Sequence, residues 1–266
     1  MTNKSLRKLL KVNAPSPNQD LPSDKYEIQE YKDGFTYRLV NLGGMFGWEL
    51  RLADDTRTEF TCTSKYNNFP VISLYKTFSE YKHDHIDLSK MDTSNVITAL
   101  YTFEKASKLK DLDISMLNTS KLVNIRSIFD HCTSLEHVNF GNIDTSNLVN
   151  ISYMFYGCSS LKDIDLSKQN LGHVGYAYRG ITNCSELRSV KLPYSKEYSS
   201  KYLSGIVYQF KNIQYVVTAS EFVVDKLEKE YDFQVIKTNS PDNIEKILSK
   251  IRLINIKNIC IYIVED

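Results

Sequence analysis

A pattern that recurs every 26 residues constrains the fold of this chain more than any other feature. The stretch NTSKLVNIRSIFDHCTSLEHVNF begins at Asn118, and the similar stretch DTSNLVNISYMFYGCSSLKDIDL begins at Asp144. Self-similarity at a fixed period of this length is typical of arrays of stacked structural repeats, and it argues against a duplicated chemical site. Three apolar columns share the spacing: Leu109, Leu135, Leu161 and Leu187; Ile86, Leu112, Val138, Ile164 and Val190; and Leu88, Ile114, Phe140, Leu166 and Leu192.

Each repeat predicts a short strand, a turn and a short helix. The pattern L-x-x-L-x-L places its fourth and sixth residues on one inward face of a strand. The Thr-Ser-Asn stretch predicts a turn, and the spacing of Leu148, Ile151, Phe155 and Cys158 by three or four residues predicts a helix. One such unit cannot bury its apolar residues alone. The predicted fold is therefore an α/β leucine-rich-repeat solenoid of about five 26-residue coils.

The segments outside the repeats predict capping units. Asp33-Gly34 within YEIQEYKDGFTYRLVNL predicts a β-hairpin, and Trp48 is predicted to lie in the core of that N-terminal unit. After the repeats, a sixth strand is predicted in IQYVVTA, followed by a helix from Ser220 that turns Phe222, Leu227 and Tyr231 inward, and then by strand, helix and strand. The predicted organisation is a polar segment 1–25, a β-rich cap 26–80, repeats 81–193 and an α/β cap 194–266.

The fourth repeat departs from the pattern. QNLGHVGYAYRG replaces the turn and helix, and Gly172, Gly175 and Gly180 weaken helix propensity there. We therefore expect this coil to be rebuilt locally.

The repeated phrases resemble a known family. DTSNLVNISYMFYGCSSLKDIDLS and NTSKLVNIRSIFDHCTSLEHVNF are similar to the BspA-type leucine-rich repeats of bacterial surface proteins and mycoplasma-type lipoproteins, over residues 81–193. The resemblance implies a right-handed curved solenoid that is used for protein binding or adhesion and that has no enzymatic site.

Charge and composition exclude several classes of function. Thirty-three lysines and arginines nearly balance 32 acidic residues, and this gives no indication of a nucleic-acid or membrane partner. The N-terminus has no apolar run of signal-peptide length, and no segment reaches the roughly 18 apolar residues that span a bilayer. The predicted location is the cytoplasm, or the cell surface if a leader was removed.

The cysteines predict packing and no cofactor. Five cysteines are an odd number and do not resemble a disulfide framework, so reduced thiols are expected. Cys132, Cys158 and Cys184 occupy one position in successive coils, whereas a zinc site needs four ligands, commonly at short paired spacings. We predict that they pack in the core and that the chain binds no metal.

The outward residues of the predicted strands are the candidate site. They lie beside Asp84, Lys110, Glu136, Lys162 and Arg188, and together the strand residues include seven acids against four bases. One interpretation is a solvated face with internal ion pairs; the other is a docking surface for a protein with a basic patch. Exposed tyrosines are further candidates, because they often anchor protein interfaces. The predicted site residues are His85, Asp87, Asp111, Asp113, His137, Asp163, Asp165, Tyr176 and Tyr178.

These observations predict a non-enzymatic module that recognises or inhibits a macromolecular partner. No phosphate loop, nucleophile elbow or zinc-protease motif is present in the sequence. Two alternatives stay open: a cell-surface adhesin-type module, and an enzyme sited in residues 194–266. An inhibitor carried by a phage or mobile element is a speculative variant of the first hypothesis, and the oligomeric state is left undetermined.

Overall fold

The computed structural model describes residues 29–195, 197, 201–208, 213–254 and 257–264. The predicted polar segment 1–25 lies outside these residues. The strands of the N-terminal unit are β1 (Gln29–Lys32), β2 (Phe35–Leu42), β3 (Met45–Leu52), β4 (Glu59–Cys62), β5 (Lys65–Tyr66) and β6 (Phe69–Ser73). All of them except β4 form one five-stranded sheet in the order β1-β2-β3-β6-β5.

Two local predictions for the N-terminal unit are confirmed. Lys32 pairs with Phe35 across a turn in which Asp33 and Gly34 both have positive φ, as a two-residue hairpin requires. Trp48 is buried, and its indole N–H donates to the carbonyl oxygen of Tyr66 at 2.6 Å. The aromatic core of this unit is therefore fixed by a hydrogen bond as well as by packing.

The predicted strands of the repeats are present and parallel. Each carries one inward residue of the apolar columns, and two neighbouring pairs of these strands are in register at the 26-residue spacing, with Leu112 beside Val138 and Ile164 beside Val190. At the start of the strands, the Lys110 N–H donates to the Asp84 carbonyl oxygen, and the same bond recurs in each following repeat. The strands are β7 (Asp87–Met91), β8 (Asp111–Asp113), β9 (His137–Asn139), β10 (Asp163–Asp165) and β11 (Ser189–Lys191).

The predicted short helix of each repeat is wrong, because consecutive turns take its place. Backbone N–H groups here donate to carbonyls of the next repeat: Ala99 to Asn124 at 2.8 Å and Ile125 to Asn150 at 3.0 Å. Left-handed residues, including Tyr153 with φ of 58°, interrupt any run of helical dihedrals. Successive turns also place apolar residues three or four positions apart in the sequence. The periodicity alone therefore could not distinguish a helix from a run of turns.

The fourth repeat is not rebuilt, contrary to expectation. The Gly175 and Tyr176 N–H groups both donate to the Val149 carbonyl oxygen, and Tyr176 bridges Asn150 at the usual spacing. Val174 and Ile181 remain buried at the positions of the earlier apolar residues. The glycines fit because this side of the repeat is made of turns, in which helix propensity is irrelevant.

One core runs through the repeats. Phe78, Phe103, Phe129 and Phe155 stack in sequence with ring centroids 5.3, 5.7 and 5.2 Å apart. Beside the stack, the Cys132 and Cys158 thiols are buried and donate to the carbonyl oxygens of Phe103 and Phe129. The predicted packing role of the cysteine column is confirmed.

The C-terminal unit extends the sheet of the repeats. Its elements are β12 (Tyr215–Thr218), α1 (Glu221–Tyr231), β13 (Gln234–Thr238), α2 (Ile244–Ile254) and β14 (Ile259–Ile263), with a 3-10 helix (Lys201–Ile206) before them. The strand order β10-β11-β12-β14-β13 is parallel throughout, and Ser189 pairs with Tyr215 at the repeat spacing, which confirms the predicted sixth strand. Neither α-helix, nor any other helix in the described residues, is long and apolar enough to cross a membrane.

One detail of α1 differs from the prediction. Phe222 is 48% exposed, and the helix instead buries Val223, Val224 and Leu227. The buried face of α1 is therefore shifted by one residue, because Val223 and Val224 pack on the sheet where Phe222 was expected to pack.

Candidate functional site

The strand surface consists of the outward side chains of β7 to β11 and of the residues just before them. The pairing of β8 with β9 sets Asp111 beside His137 and Asp113 beside Asn139. The pairing of β10 with β11 sets Asp163 beside Ser189 and Asp165 beside Lys191 in the same way. The structure therefore brings the predicted His85, Asp87, Asp111, Asp113, His137, Asp163 and Asp165 onto one surface in two columns.

The half of the strand surface around β9 to β11 is cross-linked by ion pairs. His137 Nδ1 lies 3.2 Å from Asp163 Oδ2, and Lys191 Nζ lies 3.7 Å from Asp165 Oδ2. Lys162 pairs with Glu136, and its hydrogen bond holds the pKa of the Glu136 carboxyl below its usual value. In this half, the interpretation as a solvated face with internal ion pairs fits best.

The carboxylates of the other half, around β7 and β8, form fewer ion pairs. We name Asp84, Asp87, Asp111 and Asp113 the acidic end. Among the described residues, no lysine or arginine nitrogen lies within 4.0 Å of these four carboxylates, and only His85 pairs with Asp84, at 2.9 Å. Hydrogen bonds from Ser115 and Ser89 lower the pKa values of Asp113 and Asp87, so both stay ionised at neutral pH. The carboxylates without a direct lysine or arginine ion pair are therefore concentrated at this end, and the charges of Lys110 and Lys90 act on Asp84 and Asp87 only from beyond that distance.

Several of these aspartates also have a structural role that the sequence analysis did not assign. Asp113 Oδ1 accepts the Ser115 N–H at 2.8 Å, and Asp87 and Asp165 accept in the same way from the residue two positions later. Such side-chain turns end β8 and β10, whereas Asp87 lies at the start of β7. The signal was available, because a serine follows each of these aspartates after one residue.

Tyr176 and Tyr178 do not belong to the strand surface. Each is 53% exposed and lies on what we name the turn surface, formed by the turn segments 73–80, 98–105, 124–131, 150–157 and 176–183. The strands and the turns enclose the core between them, so the two surfaces lie on opposite sides of it. The predicted site residues are thus divided between two places.

Beside the predicted Tyr178, the turn surface carries Tyr101 and Arg126, which the sequence analysis did not single out. The Tyr178 ring packs edge-on against Tyr153 at 5.6 Å, and the Arg126 guanidinium lies over Tyr153 at 5.5 Å and over Tyr101 at 5.9 Å. These residues contact each other across repeats: Tyr101 and Tyr153 lie two repeats apart in one column of the 26-residue alignment, and Arg126 and Tyr178 lie two repeats apart in the adjacent column. The recurring tyrosines were therefore available as a signal in the sequence, whereas the contacts between rings and cations required the structure.

The cysteine thiols and the possible metal ligands among the described residues show little chemical reactivity. All five cysteines are free, and burial raises the pKa of the Cys62, Cys132 and Cys184 thiols to about 12. A thiol with such a pKa is a poor nucleophile at neutral pH. In the described part of the chain, no three His, Cys, Asp or Glu side chains are placed to hold a metal ion. A cavity of about 70 Å³ inside the repeats is lined almost wholly by core residues such as Phe103, Phe129 and Met154.

The fold and the buried leucine columns define a leucine-rich-repeat-like array. Residues 72–191, somewhat less than half of the chain, match the family described as "Mycoplasma protein of unknown function, DUF285". A solved structure, the T. pallidum leucine-rich repeat protein TpLRR, aligns with a TM-score of 0.45 and 22% sequence identity over 63% of this chain and 72% of that one. No curated protein matches the chain.

Proposed function

We propose that this chain is a non-enzymatic protein-binding module that recognises or inhibits a partner with a basic patch, through the acidic end of the strand surface. In this proposal the repeats form a BspA-like solenoid of about five coils. The observation that carries it is the uneven pairing of the strand surface: ion pairs neutralise the half around β9 to β11, whereas the carboxylates of Asp87, Asp111 and Asp113 have no lysine or arginine partner among the described residues.

The acidic end suits a rigid docking surface. Asp87 and Asp113 are held in place by hydrogen bonds at 2.8 Å from Ser89 and Ser115, and Asp113 Oδ2 also accepts from the Asn139 side chain at 3.0 Å. Carboxylates that are already ordered lose little conformational entropy when a partner binds. A basic partner would gain encounter rate and specificity from the unneutralised charge.

The test compares three forms of the protein in affinity capture from a lysate of the source cells. The variant Asp87→Asn/Asp111→Asn/Asp113→Asn removes three charges but keeps an acceptor for the turns. The control Glu221→Gln/Glu230→Gln/Asp242→Asn removes three charges from exposed positions in the C-terminal unit. We expect mass spectrometry to find a basic protein retained by the wild type and the control, released by a salt step, and lost with the first variant. Equal capture by all three forms would refute the proposal.

A further inference from the structure

A ladder of tyrosine rings and cations runs along the turn surface from the N-terminal unit to the fifth repeat. Its members contact their neighbours in series, at ring-to-ring or cation-to-ring distances between 4.6 and 6.0 Å. We name this set the tyrosine ladder: Arg51, Tyr75, Lys76, Tyr101, Arg126, Tyr153, Tyr178, Arg179 and Tyr208. Tyrosine and arginine are the residue types most enriched at the energetic centres of protein interfaces.

Two cations of the ladder are neutralised and two are not. Arg51 pairs with Glu49 at 2.9 Å, and Lys76 pairs with Glu104 at 3.3 Å. Arg126 and Arg179, in contrast, have no carboxylate within 4.0 Å among the residues that the structure describes. The Nε atoms of both are buried and without a hydrogen-bond partner. A buried guanidinium nitrogen without an acceptor is costly, and a partner carboxylate beside the group would reduce that cost.

The acids of the turn surface do not offset these two arginines. Glu80 lies 4.0 Å from Lys82, Glu104 is taken by Lys76, and Asp130 pairs with His131. Each of these acids thus has its own cationic or titratable partner. The middle and the C-terminal end of the ladder therefore carry uncompensated positive charge, opposite in sign to the acidic end on the other side of the core.

The packing of the rings favours a protein partner over a nucleic acid. Arg126 lies over Tyr101 and Tyr153, and Arg179 lies over Tyr178 and Tyr208, so cations already cover the ring faces on which bases would stack. Two unneutralised charges are also few for a phosphate backbone. Tyrosine edges, hydroxyl groups and guanidinium N–H groups suit a peptide that presents carboxylates between apolar side chains.

We propose that the tyrosine ladder is a second interaction surface, which binds a protein segment rich in aspartate or glutamate by placing its carboxylates against Arg126 and Arg179. The neighbouring rings hold both guanidinium groups in place before the partner arrives, so little side-chain entropy is lost on binding. This surface is separate from the acidic end and takes a partner of opposite charge.

The experiment uses a displayed library of random 12-residue peptides, selected on the immobilised full-length protein. The best peptide is then synthesised, and its affinity is measured by fluorescence anisotropy. The test variant is Arg126→Gln/Arg179→Gln. The control is Lys108→Gln/Lys168→Gln, which removes two positive charges from exposed positions away from the ladder. Circular dichroism checks that each variant is folded, and Arg126→Lys/Arg179→Lys keeps the charge but removes the planar guanidinium.

We expect the selected peptides to be enriched in aspartate and glutamate. Their affinity should fall about tenfold or more in the glutamine variant, by a smaller factor in the lysine variant, and not at all in the control. The variant Asp87→Asn/Asp111→Asn/Asp113→Asn should bind the peptide as the wild type does, which separates this proposal from the proposed function. Selected peptides without an excess of acids, or equal affinity for the wild type and the glutamine variant, would overturn the proposal.

Discussion

The strand side and the turn side of each repeat satisfy their backbone hydrogen bonds in the same way, although only the strand side has regular secondary structure. On the strand side, the Ile114 N–H donates to the Asn139 carbonyl oxygen of the next repeat, at 3.0 Å. On the turn side, the Ile151 N–H donates to the Tyr176 carbonyl oxygen at 2.8 Å, although no regular helix or strand is present there. Stacked repeats can therefore hydrogen-bond to one another with or without regular secondary structure, provided that equivalent residues lie side by side.

The two sides also differ in what they expose. The strand side shows short acidic and histidine side chains, many of them paired with the neighbouring repeat. The turn side shows large rings and guanidinium groups. Strands fix side chains in straight columns, whereas the turns let residues from different columns meet. We expect three substitutions to test this comparison.

The largest effect is expected in the core that both sides share. Phe129 is fully buried and stacks between Phe103 and Phe155. Phe129→Ala should lower the free energy of unfolding by about 3 to 5 kcal/mol, because it removes a buried ring and leaves a cavity. Urea unfolding would measure this. The control Phe222→Ala, at a 48% exposed position, should stay within about 0.5 kcal/mol. A similar loss in the free energy of unfolding for Phe129→Ala and Phe222→Ala would contradict the prediction that the phenylalanine stack forms the shared core.

An intermediate effect is expected from the backbone of the turn side. Gly157 has φ of +74°, and an added Cβ would lie 3.0 Å from the His131 ring. Gly157→Ala should therefore destabilise by about 1 to 2 kcal/mol. Gly175→Ala is the matched control, since it lacks a positive φ and its Cβ would meet only Val149 at 3.9 Å. Thermal unfolding of the two variants side by side measures the difference, and an equal loss in both would show that the turn geometry is not the cause.

The smallest effect is expected from the turns that end the strands. Asp113→Ala should cost about 0.5 to 1 kcal/mol at neutral pH through the lost hydrogen bonds. Asp113→Asn should cost less, because Asn139 already fills the same role in the next repeat by accepting the Gly141 N–H.

The pH dependence of this effect has a defined sign. The folded pKa of Asp113 is lowered from 3.8 by hydrogen bonds from Ser115. Its contribution to stability is therefore complete above pH 3.8 and is lost as the pH falls through the lowered value. Urea unfolding between pH 7 and pH 2 should give a flatter profile for Asp113→Asn than for the wild type. Parallel pH profiles for Asp113→Asn and the wild type would show that the Asp113 carboxylate is not the source of this pH dependence.

The strand side could be predicted from the sequence, but the turn side only in part. Leu112 and Ile114 fix an inward face at a period of two, which only a strand produces at that length. On the turn side, the spacing of Ile151 and Phe155 fits a helix and a run of turns equally well. The left-handed residue Tyr153 between them carries no sequence signature, since residues other than glycine rarely adopt that conformation.

The candidate site, too, could be predicted from the sequence only in part. Columns 26 residues apart placed His137 beside Asp163, and the structure adds the contact between them at 3.2 Å. Which carboxylates would remain without a cation depends on side-chain conformation, and this could not be read from the columns. Tyr101 and Tyr153 of the tyrosine ladder share one column of the repeat, so they could have been found in the sequence. The position of the Arg126 guanidinium over both rings required coordinates.

The hydrogen bonds between repeats also restrict how such a gene can change in length. Successive coils pair on both sides of the core, at the 26-residue spacing that joins Asp111 to His137 and Asn124 to Asn150. Gain or loss of a single codon within a coil would move the strand segment or the turn segment of that coil out of register with the equivalent segments of both neighbouring coils. Insertion or deletion of a whole repeat leaves every pairing intact. Related chains should therefore differ in the length of this array by multiples of one repeat, and each added repeat lengthens both surfaces together.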